Sequence, residues 1–297
     1  MLTIGNFDGV HLGHQAILER LKSIAAAQHL PPLVMIFEPQ PKEFFAGQQA
    51  PARLTSLAEK LSLFSGYGIG QVACMAFNQR FRQLSAQQFV EEVLVKGLNC
   101  KALIVGDDFR FGCDRSGDFA FLKAAGERYG FSVEDTCTVL AGSERISSTR
   151  VRSELECANF TAAAGLLGRP YGIYGKVAHG QKLGRTLGVP TANVLLKRSK
   201  VPFMGVYAVE IEIDGKLHQG VANIGMRPTV NGTKAVLESH IFDFNGDLYG
   251  KRIGVIFRHK IRDEQKFDGL AALMAAIEND IKISKAFFGA NGSDQPL

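Results

Sequence analysis

Cysteine is scarce and poorly placed for cross-linking: Cys74, Cys100, Cys113, Cys137 and Cys157 are odd in number and never form a C-x-x-C pair. That excludes a disulfide framework and a zinc ribbon, and the thiols read as reduced and mostly packed. Long apolar runs are also missing. No stretch approaches the roughly 18 residues of a membrane-spanning helix, and the first residues lack a secretory signal pattern, so a cytoplasmic protein with no membrane partner is expected. A large excess of charge of one sign is absent, because 34 Lys+Arg face 29 Asp+Glu for a net +5. Only Lys197-Arg198-Ser199-Lys200 and Arg258-His259-Lys260-Ile261-Arg262 gather basic residues. That falls short of the basic stripe of a nucleic-acid binder and leaves solvated loops, or attraction for small anions, as its meaning. Internal repeats and low-complexity tracts are missing too, and nothing in the sequence sets an oligomeric state.

What is present suffices for two domains with proper cores: 297 residues, 46% of them hydrophobic. The first half alternates strand-like and helix-like segments. Ile17, Leu18, Leu21, Ile24 and Ala25 recur at helical spacing, and Leu33–Phe37 reads as a buried strand closed by Glu38-Pro39. Helices follow over 56–65 and after Ser85, where Ser85 and Gln88 fit a capping box, with a strand near 72–77 between them. Ala102–Val105 is a further strand and 119–129 a helix stopped by Gly130. Such rotation gives a doubly wound parallel sheet. From about Tyr171 the period becomes two. Tyr207, Val209, Ile211 and Ile213 alternate with polar neighbours up to Asp214-Gly215; Val236–Phe244 meets Leu248 through Asn245-Gly246, a hairpin signal; Arg252–Phe257 adds a strand; 270–283 returns to helix. This half reads as a small antiparallel barrel with a C-terminal helix. The boundary is placed at residues 159–170 as a linker, between domains at 1–158 and 171–290, with a tail at 291–297.

Four stretches carry chemistry. Thr3-Ile4-Gly5-Asn6-Phe7-Asp8-Gly9-Val10-His11-Leu12-Gly13-His14 runs from a strand through a glycine turn into a helix N-terminus, whose free N–H groups and dipole suit a phosphate. His11 and His14 stand three apart and can face one ligand, although a surface pair or part of a metal site would look alike. Gly106-Asp107-Asp108-Phe109-Arg110-Phe111-Gly112 follows a strand where open α/β sheets bind ligands, and Phe109 or Phe111 can stack on a flat ring or serve the core. Ile146-Ser147-Ser148-Thr149-Arg150-Val151-Arg152 brings hydroxyls and guanidinium to a helix start, as a phosphate site or an ordinary cap. In the second half, Gly180, Gly184 and Gly188 lie in a glycine-rich loop that is not a Walker sequence. After it, Pro190-Thr191-Ala192-Asn193 offers a hydroxyl and an amide able to hold Mg²⁺ and phosphate oxygens. Glu238 sits on a strand with neither side plainly solvent, so it is either functional or paired with Arg252 or Arg258.

The string G-N-F-D-G-V-H-x-G-H resembles the FAD synthetase half of bacterial riboflavin kinase/FAD synthetases, within the H-x-G-H nucleotidyltransferases. G-R-T-L-G-V-P-T-A-N, continued by Gly205-Val206-Tyr207, Asn223–Thr229 and Leu237–His240, resembles their flavokinase half. The resemblance implies a Rossmann-like nucleotidyltransferase domain at 1–158 and a β-barrel flavokinase domain at 171–290. It implies ATP, riboflavin and FMN as substrates and Mg²⁺ as cofactor. For adenylyl transfer it implies His11 and His14 as catalytic, nucleotide contacts from Asn6, Asp8, Gly9, Gly13, Ser147, Ser148, Thr149 and Arg152, and flavin contacts from Phe109 and Phe111. For the kinase it implies Glu238 as base, Gly180, Gly184, Gly188, Thr191 and Asn193 as nucleotide contacts, and Thr191 and Asn193 on the metal. Arg150 falls at a variable motif position. Family members usually carry a longer segment ahead of the histidine turn, so either the natural start lies upstream of Met1 or the first strand is unusually short. A chain with one lapsed head, or a flavin carrier without turnover, are the competing readings.

Overall fold

The structure, a computed structural model, describes residues 1–106, 108–136, 139–142, 144–178, 189–198, 200–229 and 232–291, with backbone alone at 227–229, 232–234 and 291. The chain divides into two compact units, one of residues 1–51 and 57–148, the other of residues 52–56 and 149 onward.

The first unit is built on a parallel sheet of five strands in the order β3-β2-β1-β4-β5. These are β1 (Leu2–Ile4), β2 (Leu33–Glu38), β3 (Gln71–Ala76), β4 (Ala102–Val105) and β5 (Ser132–Asp135). Its central strands are apolar on both sides because both faces are covered. Leu2, Ile4, Met35, Phe37, Leu103 and Val105 pack on one face with Phe89, Val90, Leu94 and Leu122. Val34, Ile36, Ala102 and Ile104 pack on the other with Leu18, Leu21 and Phe64. The helices α1 (Leu12–Ala27), α2 (Pro41–Ala46), α3 (Leu57–Gly66), α4 (Gln79–Arg82), α5 (Ala86–Gln88) and α6 (Phe119–Tyr129) connect the strands. The expected capping box is present, with Gln88 N donating to Ser85 Oγ at 3.1 Å and Ser85 N to Gln88 Oε1 at 2.9 Å. From it the chain runs on as a π-helix over Phe89–Gly97. Gly130 ends α6 in the left-handed region. The short strands β5, β6 (Leu140–Ala141) and β7 (Glu144–Arg145) were not foreseen. Each is four residues or fewer, too brief for alternation to register.

The second unit is a closed barrel in the order β10-β11-β12-β9-β8-β13. The helices α7 (Ser148–Glu156) and α8 (Phe160–Leu167) precede it. The strands are β8 (Gly172–Ala178), β9 (Ala192–Val194), β10 (Gly205–Ile213), β11 (Lys216–Thr229), β12 (Gly232–Ile241) and β13 (Arg252–Arg262), and helix α9 (Leu270–Asn291) follows. Asp214 and Gly215, with φ of 50° and 78°, make the tight β10–β11 turn. Phe203 meets Phe257 at 4.9 Å and Tyr207 at 5.0 Å, closing an aromatic plug within this unit. Among the described residues no helix is long and apolar enough to cross a membrane.

Two expectations need correction. Asn245-Gly246 does not join a hairpin: β12 ends at Ile241 and pairs with β11 and β9, while β13 pairs with β10 and β8. The connection must therefore cross the barrel, and neither residue has the positive φ that a two-residue hairpin turn requires. Gly246 instead sits against the Phe244 ring. Residues 159–170, read as a linker, contain α8. Asn159 caps it by accepting from Ala162 N, Gly168 closes it in the left-handed region, and Phe160, Ala163, Leu166 and Leu167 are buried. The Ala-Ala-Ala run is a good helix former rather than a break.

Candidate active sites

The first site forms where β1 and β4 separate the sheet into its two halves, the usual binding crevice of open α/β sheets. Beyond β1 the chain makes a constrained turn in which Phe7, Gly9 and Val10 have φ of 47°, 86° and 44°. A left-handed β-branched residue is a rare outlier, so the surrounding packing must enforce it, and Phe7 and Val10 are both buried. His11 caps α1 by accepting from His14 N at 3.3 Å on Nδ1. That bond assigns its ring proton to Nε2, as a donor.

The His14 ring stacks on His11 at 3.7 Å with planes 16° apart and meets Phe7 at 4.9 Å. Burial first, then the electrostatic influence of the titratable His11 and of the Lys60 and Arg145 cations, holds its pKa well below the ordinary imidazole value. His14 is therefore neutral near pH 7. His14 Nδ1 and Asn6 Oδ1 are both buried without a hydrogen-bond partner. Such atoms carry a desolvation cost that a polar ligand relieves.

The third motif reaches the first: Ser148 Oγ donates to Asp8 O at 2.8 Å. Gly13 leaves room for the His11 ring, since a Cβ there would lie 3.2 Å from it. The structure thus gathers Asn6, Asp8, Gly9, His11, Gly13, His14 and Ser148, with Ser147 alongside in the chain. Thr149 and Arg152 continue along α7 in the second unit, where Arg152 Nε donates to Ala52 O at 2.6 Å. In the loop after β4, Phe111 is a core residue, packed at 5.2 Å on Phe89 and 5.8 Å from Phe121. Phe109 is half-buried and stacked on Phe111 at 5.6 Å. Sequence reasoning missed Lys60, whose Nζ donates to Asn6 O at 2.6 Å from a fully buried side chain. Its signal was present: Leu57, Lys60 and Phe64 share one face of α3.

The second site lies on the barrel. Register places Glu238 opposite Asn193 on β9 and opposite Asn223 on β11, so the three side chains share one sheet face. Strand β12 does separate its sides. Leu237, Ser239 and Ile241 are buried, while Val236, Glu238 and His240 are half-exposed. Arg258, one salt-bridge partner considered for Glu238, is bound to Glu210 with Nε to Oε2 at 2.6 Å.

A cavity of about 350 Å³ is lined by Thr191, Asn223, Glu238, Arg262 and Phe267. A second, of about 410 Å³, is lined by Thr191, Ser239, Phe244 and Tyr249. Thr191 borders both. His240 Nδ1 lies 2.9 Å from Pro190 O and steadies that corner. Arg262 is clamped by Asp280 of α9, with Nε and Nη2 at 2.9 and 2.8 Å from its carboxylate, and lies 5.3 Å over Phe267. Asn223 and Asp280 were not named among the residues expected at the site, and Arg262 entered only through the stretch Arg262–Phe267, which with the last helix resembles the family's flavin-side segment without implying contacts. Asn223 lay within a recognised stretch, and only the barrel register brings it beside Glu238. Gly180, Gly184 and Gly188 lie outside the described residues.

The donor set suits Mg²⁺. Thr191 and Asn193 offer hard oxygen ligands beside the Glu238 carboxylate. An ion there would take phosphates and waters for its remaining ligands, as Mg²⁺ does.

Comparison with known proteins agrees in both units. A family model for FAD synthetase matches residues 1–150, and one for riboflavin kinase matches residues 167–288. A bifunctional riboflavin kinase/FMN adenylyltransferase of Pseudomonas fluorescens is 56% identical over 285 residues, covering 96% of this chain and 91% of that protein. The protein of the same description from Escherichia coli (strain K12) is 51% identical over 290 residues, covering 97% and 93%. A crystal structure described as a macrolide-efflux protein from Streptococcus pneumoniae superposes with a TM-score of 0.77 at 32% identity, covering 96% of this chain and 93% of its own. The efflux description belongs to that protein. Identity this high over nearly the full length places the chain in the family of bifunctional riboflavin kinase/FMN adenylyltransferases.

Proposed function

We propose that this chain makes FMN from riboflavin and ATP in a kinase domain at 171–290, and FAD and pyrophosphate from FMN and ATP in an adenylyltransferase domain at 1–158. One observation carries the reading: each unit has its own donor set suited to phosphate, orphaned polar atoms in the histidine turn of one and a threonine bordering two cavities in the other.

Adenylyl transfer needs no protein nucleophile. It needs stabilised charge on the α-phosphate and a held pyrophosphate. His11 donates through Nε2–H, and neutral His14 and Asn6 complete the surface. Gly9 and Gly13 let backbone N–H groups approach, with Asp8 orienting the turn. Ser147 and Ser148 face the β,γ-phosphates, and the resemblance assigns Thr149 and Arg152, next along the chain, to the same tail. Phe109 offers a ring face for the flavin, with Phe111 fixing it from behind.

In the kinase, the flavin occupies the cavity holding Glu238, and the nucleotide occupies the one across Thr191. Glu238 takes the proton of the riboflavin 5′-hydroxyl as that oxygen attacks the γ-phosphorus and ADP leaves. Thr191 and Asn193 would hold the metal, which would supply charge neutralisation on the phosphates. Gly180, Gly184 and Gly188 are assigned to the nucleotide side. The proposed setting is the cytoplasm, in keeping with the free state of the four described cysteines. Incubation with riboflavin, ATP and Mg²⁺ followed by chromatography of the flavins is the test. FMN and FAD together are expected, whereas FMN alone would mean a lapsed head and unchanged bound riboflavin a carrier.

A further inference from the structure

A lysine without solvent exposure is costly unless its ammonium is held. Lys60 is 0% exposed, and its Nζ reaches Asn6 O at 2.6 Å. That carbonyl opens the constrained part of the histidine turn, just ahead of the positive φ values of Phe7, Gly9 and Val10. One turn along α3, Phe64 packs edge-on against Phe7 at 5.5 Å. Lysine and phenylalanine, four apart on one helix face, thus grip consecutive residues of the turn.

Resting on the reading that this turn receives ATP, we propose that Lys60 is a positioning residue for adenylyl transfer. It holds the turn in its phosphate-receiving form through the Asn6 carbonyl and sets a fixed positive charge behind the two histidines. A conformation this unfavourable persists only when its surroundings over-determine it, and a buried charge-assisted hydrogen bond is a strong fastener. The titratable and charged groups acting on His14 are His11, Lys60 and Arg145. Arg145 is exposed and paired with Asp108 at 3.2 Å, which leaves Lys60 as the buried cation among them. The buried carboxylates Asp8 and Glu59 lie on the turn and on α3. Removing the Lys60 charge makes His14 easier to protonate, so His14 loses its neutral form at a higher pH than in the wild type.

The test uses the full chain with Lys60→Met and Lys60→Arg, following FAD formation from FMN across pH with FMN formation from riboflavin as an internal control. Thermal melts confirm folding, and Lys60→Gln replaces the methionine variant if that one does not fold. Lys60→Met is expected to raise KM for ATP about tenfold, the loss of about 1.4 kcal/mol of binding. It is also expected to move the acid limb of kcat/KM for ATP to higher pH. Lys60→Arg keeps a cation and is expected to leave the limb at its wild-type position. An unmoved limb and KM in Lys60→Met, or a limb shifted equally by both variants, overturns the proposal. A His14→Ala control separates the two ideas. If it leaves FAD formation intact, the reading of the turn fails; if it stops FAD formation while Lys60→Met behaves as wild type, only the role of Lys60 fails.

Discussion

Alanine at His14 is expected to slow FAD formation from supplied FMN by on the order of a hundredfold or more, the scale of losing one preorganised group at a developing charge. FMN formation from riboflavin should stay within about twofold of wild type, because Glu238, Asn193 and Thr191 all belong to the other unit. The ring is held between His11 and Phe7, so its loss removes both the proposed phosphate partner and a brace of the turn. A pH signature accompanies the kinetic one. His14 is buried neutral with a folded pKa well below its ordinary value. The unfolded chain therefore takes up a proton that the folded chain refuses as pH falls below about 6.5. Its contribution to stability is present above that pH and declines on acidification towards the folded pKa. The variant should lack this part of the acid destabilisation, measured by urea unfolding between neutral and mildly acidic pH. Loss of both activities together would contradict separate sites.

The second large effect is the reverse. Glu238→Gln keeps the shape of the side chain opposite Asn193 and Asn223 but cannot accept the 5′-hydroxyl proton. FMN formation is expected to fall by a factor of about 10²–10⁴, the usual worth of a general base. FAD formation from supplied FMN should be untouched. Separate rate measurements starting from riboflavin and from FMN read both outcomes. A kinase that keeps its rate would reassign the proton acceptor, and the base would have to be sought elsewhere among the groups lining the cavity.

Much of this was legible in the chain because local signals agreed with the fold. Apolar runs at Leu33–Phe37 and Ala102–Val105 are strands covered on both faces, and Ser85 with Gln88 makes the cap its spacing implies. Signals that depend on distant pairing were not legible. Asn245-Gly246 carries hairpin chemistry, yet barrel closure sends β12 and β13 to different neighbours, and local preference yields to topology. The Ala-rich stretch before Gly168 reads as a linker until Phe160, Leu166 and Leu167 are seen buried. At the candidate sites, the histidine turn, Ser148 and the Thr191–Asn193 corner were singled out by type and spacing. Lys60 and Asn223 were not, and the stretch from Arg262 showed only a resemblance and not its clamp to Asp280, because each contact is made with an element far away in sequence.

Central to all of it is that one polypeptide breaks ATP at two different bonds. Riboflavin incubated with Mg²⁺ and ATP labelled at either the α- or the γ-phosphorus reads this directly. The account expects γ label in FMN and in the FAD made from it, and α label in FAD but never in FMN. Flavins free of α label, or FMN free of γ label, would contradict it.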